Sequence, residues 1–326
     1  MAQSQQVNST PQWREFPRTL LRGVGQVMFQ DSQWTGLLFL IGIFIGAYME
    51  GTQFGIVAWG ALVGVAVSTL TGYLLKLPDD NGAQGLWGFN GVLVGCAFPT
   101  FMGNTVWMWL ALILCSAMTT WVRTGLNNIM SPWKVSSFTF PFVLSTWFFL
   151  LAARLFHGMP PEWMSTPELP LGHVGHLDMN FVSLLEYWLK GIAQVFLINS
   201  WVTGIFFLLG LLVCSWRAAL WAGIGSAVSL FIAILWQGPG ADIANGLYGF
   251  SAVLTGIALG ATFCNSNNWK TWIWALLGIV ATVFIQAAMN AFFAPMGLPT
   301  LTGPFCIGTW IFLMPQYKMF APAGSK

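Results

Sequence analysis

Apolar residues in this chain gather into long stretches separated by short polar breaks, instead of the period-two or period-3.6 spacing of half-buried strands and helices. A helix crossing a bilayer needs about 20 such residues. Stretches near that length occupy 34–50, 54–75, 85–102, 105–123 and 139–156, then 201–216, 218–236, 246–263, 270–290 and 303–317. The pattern predicts an all-α membrane protein with ten transmembrane helices in two sets of five. Ahead of each set stands a shorter amphipathic stretch, Thr19–Phe29 and Leu184–Leu197. Both are too short to cross and are expected to form half-spanning or interfacial helices. The expected organisation is a polar tail at 1–13, a first pore repeat at 14–156, an extramembrane connector at 157–180 rich in Pro, Glu and His, and a second pore repeat at 181–326.

The two sets are copies of one another. Arg22-Gly-Val-Gly-Gln26 matches Lys190-Gly-Ile-Ala-Gln194, and Thr35-Gly36 with Phe39-Leu40 and Gly42 matches Thr203-Gly204 with Phe207-Leu208 and Gly210, both at an offset of 168. GLWGFNGVLVG from Gly85 matches GLYGFSAVLTG from Gly246 at an offset of 161, with seven identities in eleven. Leu126-Asn127 through Phe138-Thr139-Phe140-Pro141 matches Met289-Asn290 through Leu301-Thr302-Gly303-Pro304 at an offset of 163. An odd number of crossings per copy makes the copies face opposite sides of the membrane, and inverted repeats bring their special residues together near the midplane.

Composition excludes a soluble monomer. Charged residues make up 7% of the chain, against roughly 25% in ordinary soluble domains, and the mean hydropathy is +0.70. The net charge of +2, carried by scattered basic residues, offers no patch for nucleic acid. Met1–Phe16 is polar and lacks the apolar core of a cleaved leader. Arg14, Arg18 and Arg22 precede the first stretch, so the positive-inside rule expects that end in the cytoplasm, with Lys318 and Lys326 on the same side after ten crossings. Five cysteines without a CxxC pair are expected to be apolar packing residues.

The charged residues, among them Glu50, Asp79, Asp80, Arg123, Lys134, Arg154, Glu186, Arg217, Asp242 and Lys270, fall at stretch ends or in connectors. Ion-coupled carriers keep ionisable groups inside their spans, and no GxxxxGK[ST] loop for ATP is present. A neutral cargo moving downhill, without a cofactor or metal, is the expectation. His157, His173 and His176 all lie in the connector, which leaves an intramembrane enzyme without a nucleophile–base pair.

The repeated polar positions carry the candidate chemistry. Pro141 and Pro304 interrupt apolar stretches close behind Thr139 and Thr302, whose hydroxyls both donate and accept. The alternative is that these threonines bond to their own helices and the prolines only kink them. Phe89 and Leu93, like Phe250 and Leu254, are four residues apart and share a helix face. They form either plain packing or the walls of a flat slot. Gln26 and Gln194 place uncharged amides at the ends of the half-helices, as caps or as contacts for a polar neutral solute.

These residues resemble a known family. GVGQVMFQ at 23–30 with GIAQVFL at 191–197, the GLWGFNGVLVG and GLYGFSAVLTG pair, and LNNIM…SSFTFPF with MNAFF…GLPTLTGPF are similar to the paired signatures of the urea transporters. The match runs from about Arg14 to the end of the chain. The resemblance implies ten crossings plus two half-spanning helices, one central pore per protomer, a homotrimer in membrane lipid, and passive flow of urea. It assigns Phe29, Phe89 and Leu93 to one slot, Phe250 and Leu254 to the other, Thr139 and Thr302 to the pore lining, and Gln26 and Gln194 to the outer polar sites. Leu197 departs from the aromatic expected of the copy of Phe29. Some bacterial relatives have an acid where Gln194 stands, with Glu186 two turns away here. Asn90 has Ser251 as its copy. The resemblance further implies a bacterial inner-membrane location, and short amides or ammonia remain alternative cargoes.

Overall fold

The computed structural model describes residues 12–75, 77, 82–170, 175–264 and 267–316. The tail up to Pro11, Asp79, Asp80, His173, Lys318 and Lys326 lie outside the described residues. Among the described residues the protein is all helix, with no strand. The first half contains α1 (Gln12–Gln26), α2 (Gln33–Met49), α3 (Gly55–Leu75), α4 (Phe89–Phe101), α5 (Val106–Met130) and α6 (Phe140–Ala153). The second contains α7 (Phe181–Ala193), α8 (Trp201–Cys214), α9 (Trp216–Leu235), the short α10 (Gly240–Ala244), α11 (Gly249–Ile257), α12 (Trp269–Phe293) and α13 (Gly303–Leu313). Each apolar stretch therefore holds a helix. Those around α3, α5, α9 and α12 are long and apolar enough to cross a membrane alone, and α7 meets α8 at a 72° bend. The 13-residue α4 reaches about 20 Å, short of the ~30 Å hydrocarbon layer.

Three boundaries correct the expectations. First, α1 and α7 start earlier than expected and stop at tight turns closed by Phe29 N–H to Gln26 C=O and Leu197 N–H to Gln194 C=O, both 3.0 Å. Phe29 (φ 62°) and Leu197 (φ 59°) therefore sit in the left-handed region outside the helices, which is uncommon for bulky side chains. Second, Pro141 and Pro304 do not interrupt running helices. They occupy the first turns of α6 and α13, where a missing N–H deprives no carbonyl of a partner. Third, α5 does not end at Arg123. Nothing in Thr124–Met130 breaks a helix, and α5 continues until Ser131-Pro132, so Arg123 is an interior, buried residue.

The halves meet at α2 and α8 through a reciprocal contact. Thr35 Oγ1 donates to Gly210 C=O and Thr203 Oγ1 donates to Gly42 C=O, both at 2.8 Å. Between these bonds the rings of Phe39 and Phe207 lie with centroids 4.8 Å apart. Glycine is required at the crossing: a Cβ on Gly42 would come within 2.8 Å of Phe206 Cβ, and one on Gly210 within 2.7 Å of the Phe39 ring. Small residues that let backbones approach are the usual means of packing helices where burial from water supplies little drive. On one face the described part of the connector ties the halves together. Arg154 Nη2 donates to Ser165 C=O at 2.8 Å and Gly297 C=O at 3.0 Å, and Glu168 N–H donates to Ala294 C=O.

Gly42→Ala is expected to destabilise the detergent-solubilised protein by about 1–3 kcal/mol, read as a lower Tm. Gly125→Ala on α5, with nothing within 4 Å of the new Cβ, is expected to be neutral or slightly stabilising. Equal Tm values for the two variants would remove the α2–α8 crossing as a determinant of stability.

Candidate functional site

The polar breaks of the two halves converge on one pair of side chains. Thr139 and Thr302 are the N-cap residues of α6 and α13, yet neither hydroxyl caps its own helix. Instead Thr139 Oγ1 and Thr302 Oγ1 bond to each other at 2.6 Å, with Cys306 Sγ 3.4 Å from Thr139 Oγ1. Both threonines are 2% exposed. The residues before them, Phe138 and Leu301, have φ 50°, and this left-handed step turns each chain into its helix. Two helix N-termini, with their partial positive charge, thus meet at a hydroxyl pair. One of the pair's two protons joins the oxygens, leaving one O–H and the remaining lone pairs for a third group.

The loops that deliver these threonines are pinned by the opposite half. Trp147 on α6 donates its indole N–H to Pro299 C=O at 2.8 Å, and Trp310 on α13 donates to Ser136 C=O at 2.9 Å. Each tryptophan follows its half's threonine by eight residues, a repeat open to sequence inspection and hidden only because tryptophan counts as apolar. Within each half the loops use different partners. Asn127 Oδ1 accepts from Ser137 N–H and Asn90 Oδ1 from Phe142 N–H. In the second half Ser251 Oγ donates to Gln286 Oε1, and Gln286 Nε2 lies 2.8 Å from Asn290 Oδ1 and 2.7 Å from Thr300 Oγ1.

Gln26 and Gln194 occupy matching, separate places. Gln26 Nε2 donates to Gln84 C=O and Gln194 Nε2 to Asn245 C=O, both at 2.9 Å. These bonds dock the turns after α1 and α7 onto the turns that lead to α4 and α11. Gly85 (φ 92°) and Gly246 (φ 72°) make the latter turns possible, since only glycine adopts that conformation without steric cost. Each amide spends its donor end on this bond and keeps its carbonyl as an acceptor.

The aromatic and aliphatic candidates divide unevenly. Phe89 and Leu93 on α4, and Phe250 and Leu254 on α11, are all buried. Among the described residues no ring pair joins Phe89 or Phe250 to another aromatic. The Arg123 guanidinium lies 5.8 Å from the Phe89 ring centroid. The aromatic cluster forms instead around Phe29, whose ring meets Phe263 at 5.4 Å, Phe305 at 6.0 Å and Phe138 at 6.1 Å, edge to face. Leu197, Leu301, Met102 and Phe142 hold the corresponding positions in the other half, leaving that end mainly aliphatic. Phe263 follows a π-helical segment, Ala258–Thr262, closed by Phe263 N–H to Ala258 C=O at 2.8 Å. No sequence cue announces this wide turn. The assembled chemistry is hydroxyl, amide and aromatic, and the described residues include no cluster of three metal-ligating side chains.

A protein-family model described as "UT: Urea transporter" matches residues 17–317. Among curated proteins the chain is 32% identical over 308 residues to urea transporter 1 of Ovis aries, covering 93% of this chain and 78% of that protein. It is 30% identical over 307 residues to urea transporter 1 of Mus musculus, covering 92% and 77%.

Removing either indole donor should loosen the opposite half. Trp310→Phe is expected to speed amide hydrogen exchange at 134–139, and Trp147→Phe at 297–302, each by roughly tenfold. An unsatisfied buried carbonyl costs about 1–3 kcal/mol. Faster exchange confined to the substituted residue's own half would show that the cross-half bonds do not hold the loops.

Proposed function

The chain belongs to the urea transporter family, and from that premise we propose that it conducts urea passively, along a path lined by Gln26, Phe29, Phe89, Leu93, Thr139, Gln194, Leu197, Phe250, Leu254 and Thr302. The observation that carries this reading is the buried Thr139–Thr302 hydroxyl pair at the meeting of two helix N-termini. The pairing satisfies one bond of each buried hydroxyl and leaves one O–H and free lone pairs, at two positive helix ends, for a polar neutral solute.

The proposed architecture is two inverted repeats of five crossings each. Helices α1 and α7 are half-spanning, at 14–156 and 181–326 lie the two pore repeats, and 157–180 forms the extramembrane connector. Short helices support this reading. Non-helical backbone is tolerated at membrane depth only when buried in protein or lining a cavity, and the residues entering α4, α6, α11 and α13, such as Gly88, Phe138, Tyr248 and Leu301, are buried. Large exposed apolar side chains such as Trp34, Leu74 and Phe181 suit contact with lipid and with other copies in a homotrimer. Arg14, Arg18 and Arg22 favour cytoplasmic termini in a bacterial inner membrane.

Urea is planar and neutral, with four N–H donors and one carbonyl. At either mouth the glutamine carbonyls accept its N–H groups as water is shed. The aromatic ring of Phe29 at one end, and aliphatic Leu197 at the other, confine it to a flat passage. At the centre the threonine pair and the positive helix ends receive its carbonyl while the threonine lone pairs accept an N–H. Without such partners desolvation would cost roughly 2–7 kcal/mol per polar group. Flow is fast because no single contact is strong.

Thr139→Val and Thr302→Val should each lower urea flux in proteoliposomes by about three- to tenfold, as expected for the loss of one hydrogen bond of about 0.5–1.5 kcal/mol, with shape nearly unchanged. Thr119, also buried but bonded to its own helix at Ser116 C=O, is the comparison. If Thr119→Val lowers flux as much as the central variants, the hydroxyl pair is not the conducting contact. Absence of urea flux above empty vesicles in the unsubstituted protein would refute the function itself.

Urea should not accumulate against its gradient when a proton, sodium or electrical gradient is imposed. A neutral solute gains nothing from the potential, whereas each moved charge would gain about 2.3 kcal/mol per 100 mV. Acids on the Gln194 side serve as controls: Glu186 on α7; Asp242, whose carboxyl is pushed up from the usual range by burial; and Glu50, which ends α2 beside Asn199 and Lys190. Accumulation that disappears in Glu186→Gln, Asp242→Asn or Glu50→Gln would establish a proton-coupled carrier in place of a channel.

A further inference from the structure

A passage walled by aromatic rings carries a liability that urea conduction alone does not resolve. The faces of phenylalanine attract cations, and the attraction grows when the cation is desolvated. Guanidinium has the size and planarity of urea and a full positive charge. A slot shaped for urea would therefore hold guanidinium-like cations at least as well, and would pass or be plugged by them. Some feature of the site has to oppose positive charge.

Arg123 supplies that opposition. It sits inside α5, seven residues before the helix end, and is 7% exposed. Its guanidinium lies 5.8 Å from the centroid of Phe89, which is itself 6% exposed and begins α4. An arginine stays protonated in proteins, and ionisable groups in such interiors are costly and kept for a function. The other half shows that packing does not demand the charge. The residue at the matching place is Gln286, an uncharged amide that bonds to Ser251, Asn290 and Thr300. One half of the molecule thus fills this position with a neutral side chain and the other with a cation.

We propose that Arg123 is a charge filter: a fixed cation behind the Phe89 wall that rejects urea-shaped cations while leaving neutral urea free to pass. The proposal rests on the reading that Phe89 borders the conducting path. Across a ring in a medium of low dielectric, like charges repel far more strongly than in water. The guanidinium, 5.8 Å from the ring centroid, also offsets the negative potential that the ring would otherwise offer a cation on its other face. Neutral urea, having no net charge, loses little. Positive helix ends at the Thr139–Thr302 pair act in the same direction, but only Arg123 carries a full charge.

The test compares urea and guanidinium in proteoliposomes containing the full chain. The unsubstituted protein should conduct urea and take up no labelled guanidinium above empty vesicles. Arg123→Gln, which installs the residue the other half already uses, should keep urea flux within about twofold and raise guanidinium uptake at least about tenfold. Arg123→Lys, which keeps the charge and alters the shape, should continue to exclude guanidinium. If Arg123→Gln conducts urea and still excludes guanidinium, the charge is not the filter. Guanidinium uptake in Arg123→Lys equal to that in Arg123→Gln would assign exclusion to shape and overturn the proposal. Loss of urea flux in both variants would make Arg123 a structural support, which also overturns it. Absent urea flux in the unsubstituted protein would instead overturn the functional reading on which the filter depends.

Discussion

Backbone that leaves the helical conformation in an apolar interior exposes N–H and C=O groups, each costing several kcal/mol if unpaired. Here such backbone lies, partly buried, at the turns ending in Phe29 and Leu197, at those ahead of α4 and α11, and at the loops leading to Thr139 and Thr302. Its groups are satisfied from elsewhere in the molecule. Gln26 and Gln194 tie the first two kinds of turn together, and the indoles of Trp147 and Trp310 cross between halves to hold the third. The hydroxyl pair Thr139–Thr302 lies between loops that are each held by an indole of the opposite half. Thr35 and Thr203 repeat this exchange where α2 meets α8.

Against this shared frame the two halves are dressed differently. Around Phe29 the side chains are aromatic, while the corresponding positions around Leu197 are mostly aliphatic. Asn90 and Asn127 bond directly to backbone, whereas Ser251, Gln286, Asn290 and Thr300 form a side-chain network. The bonds that cross between halves are matched, while the bonds that hold the loops within each half and the side chains around Phe29 and Leu197 differ.

Much of this is legible in the sequence. Ten apolar stretches locate ten helices, and the offsets of 168, 161 and 163 pair the residues that the structure sets in matching places. Thr139 and Thr302 stand out as a pair without any sign that they touch, since the proline-bearing motif marks a helix start and says nothing of the facing partner. Arg123 is easily misplaced, because a charge suggests the end of an apolar stretch, while a helix ends only where its geometry is broken, here at Pro132. Trp147 and Trp310 escape notice because their value lies in one N–H on a large apolar ring. Phe263 is invisible to composition, because a π-helical turn has no compositional sign.

The crossed indole bonds have a consequence for descent. Each donor is an indole encoded in one half of the gene and each acceptor a backbone carbonyl in the other, so the accepting residue is free to change type, while loss of either tryptophan strands a carbonyl in its sibling. Thr139 and Thr302 are bound across the halves as well, whereas Gln26 and Gln194 bond within their own halves. A duplicated protein of this kind can thus vary the surroundings of Gln26 and Gln194 separately, while Trp147, Trp310 and the threonine pair keep each half fastened to the other.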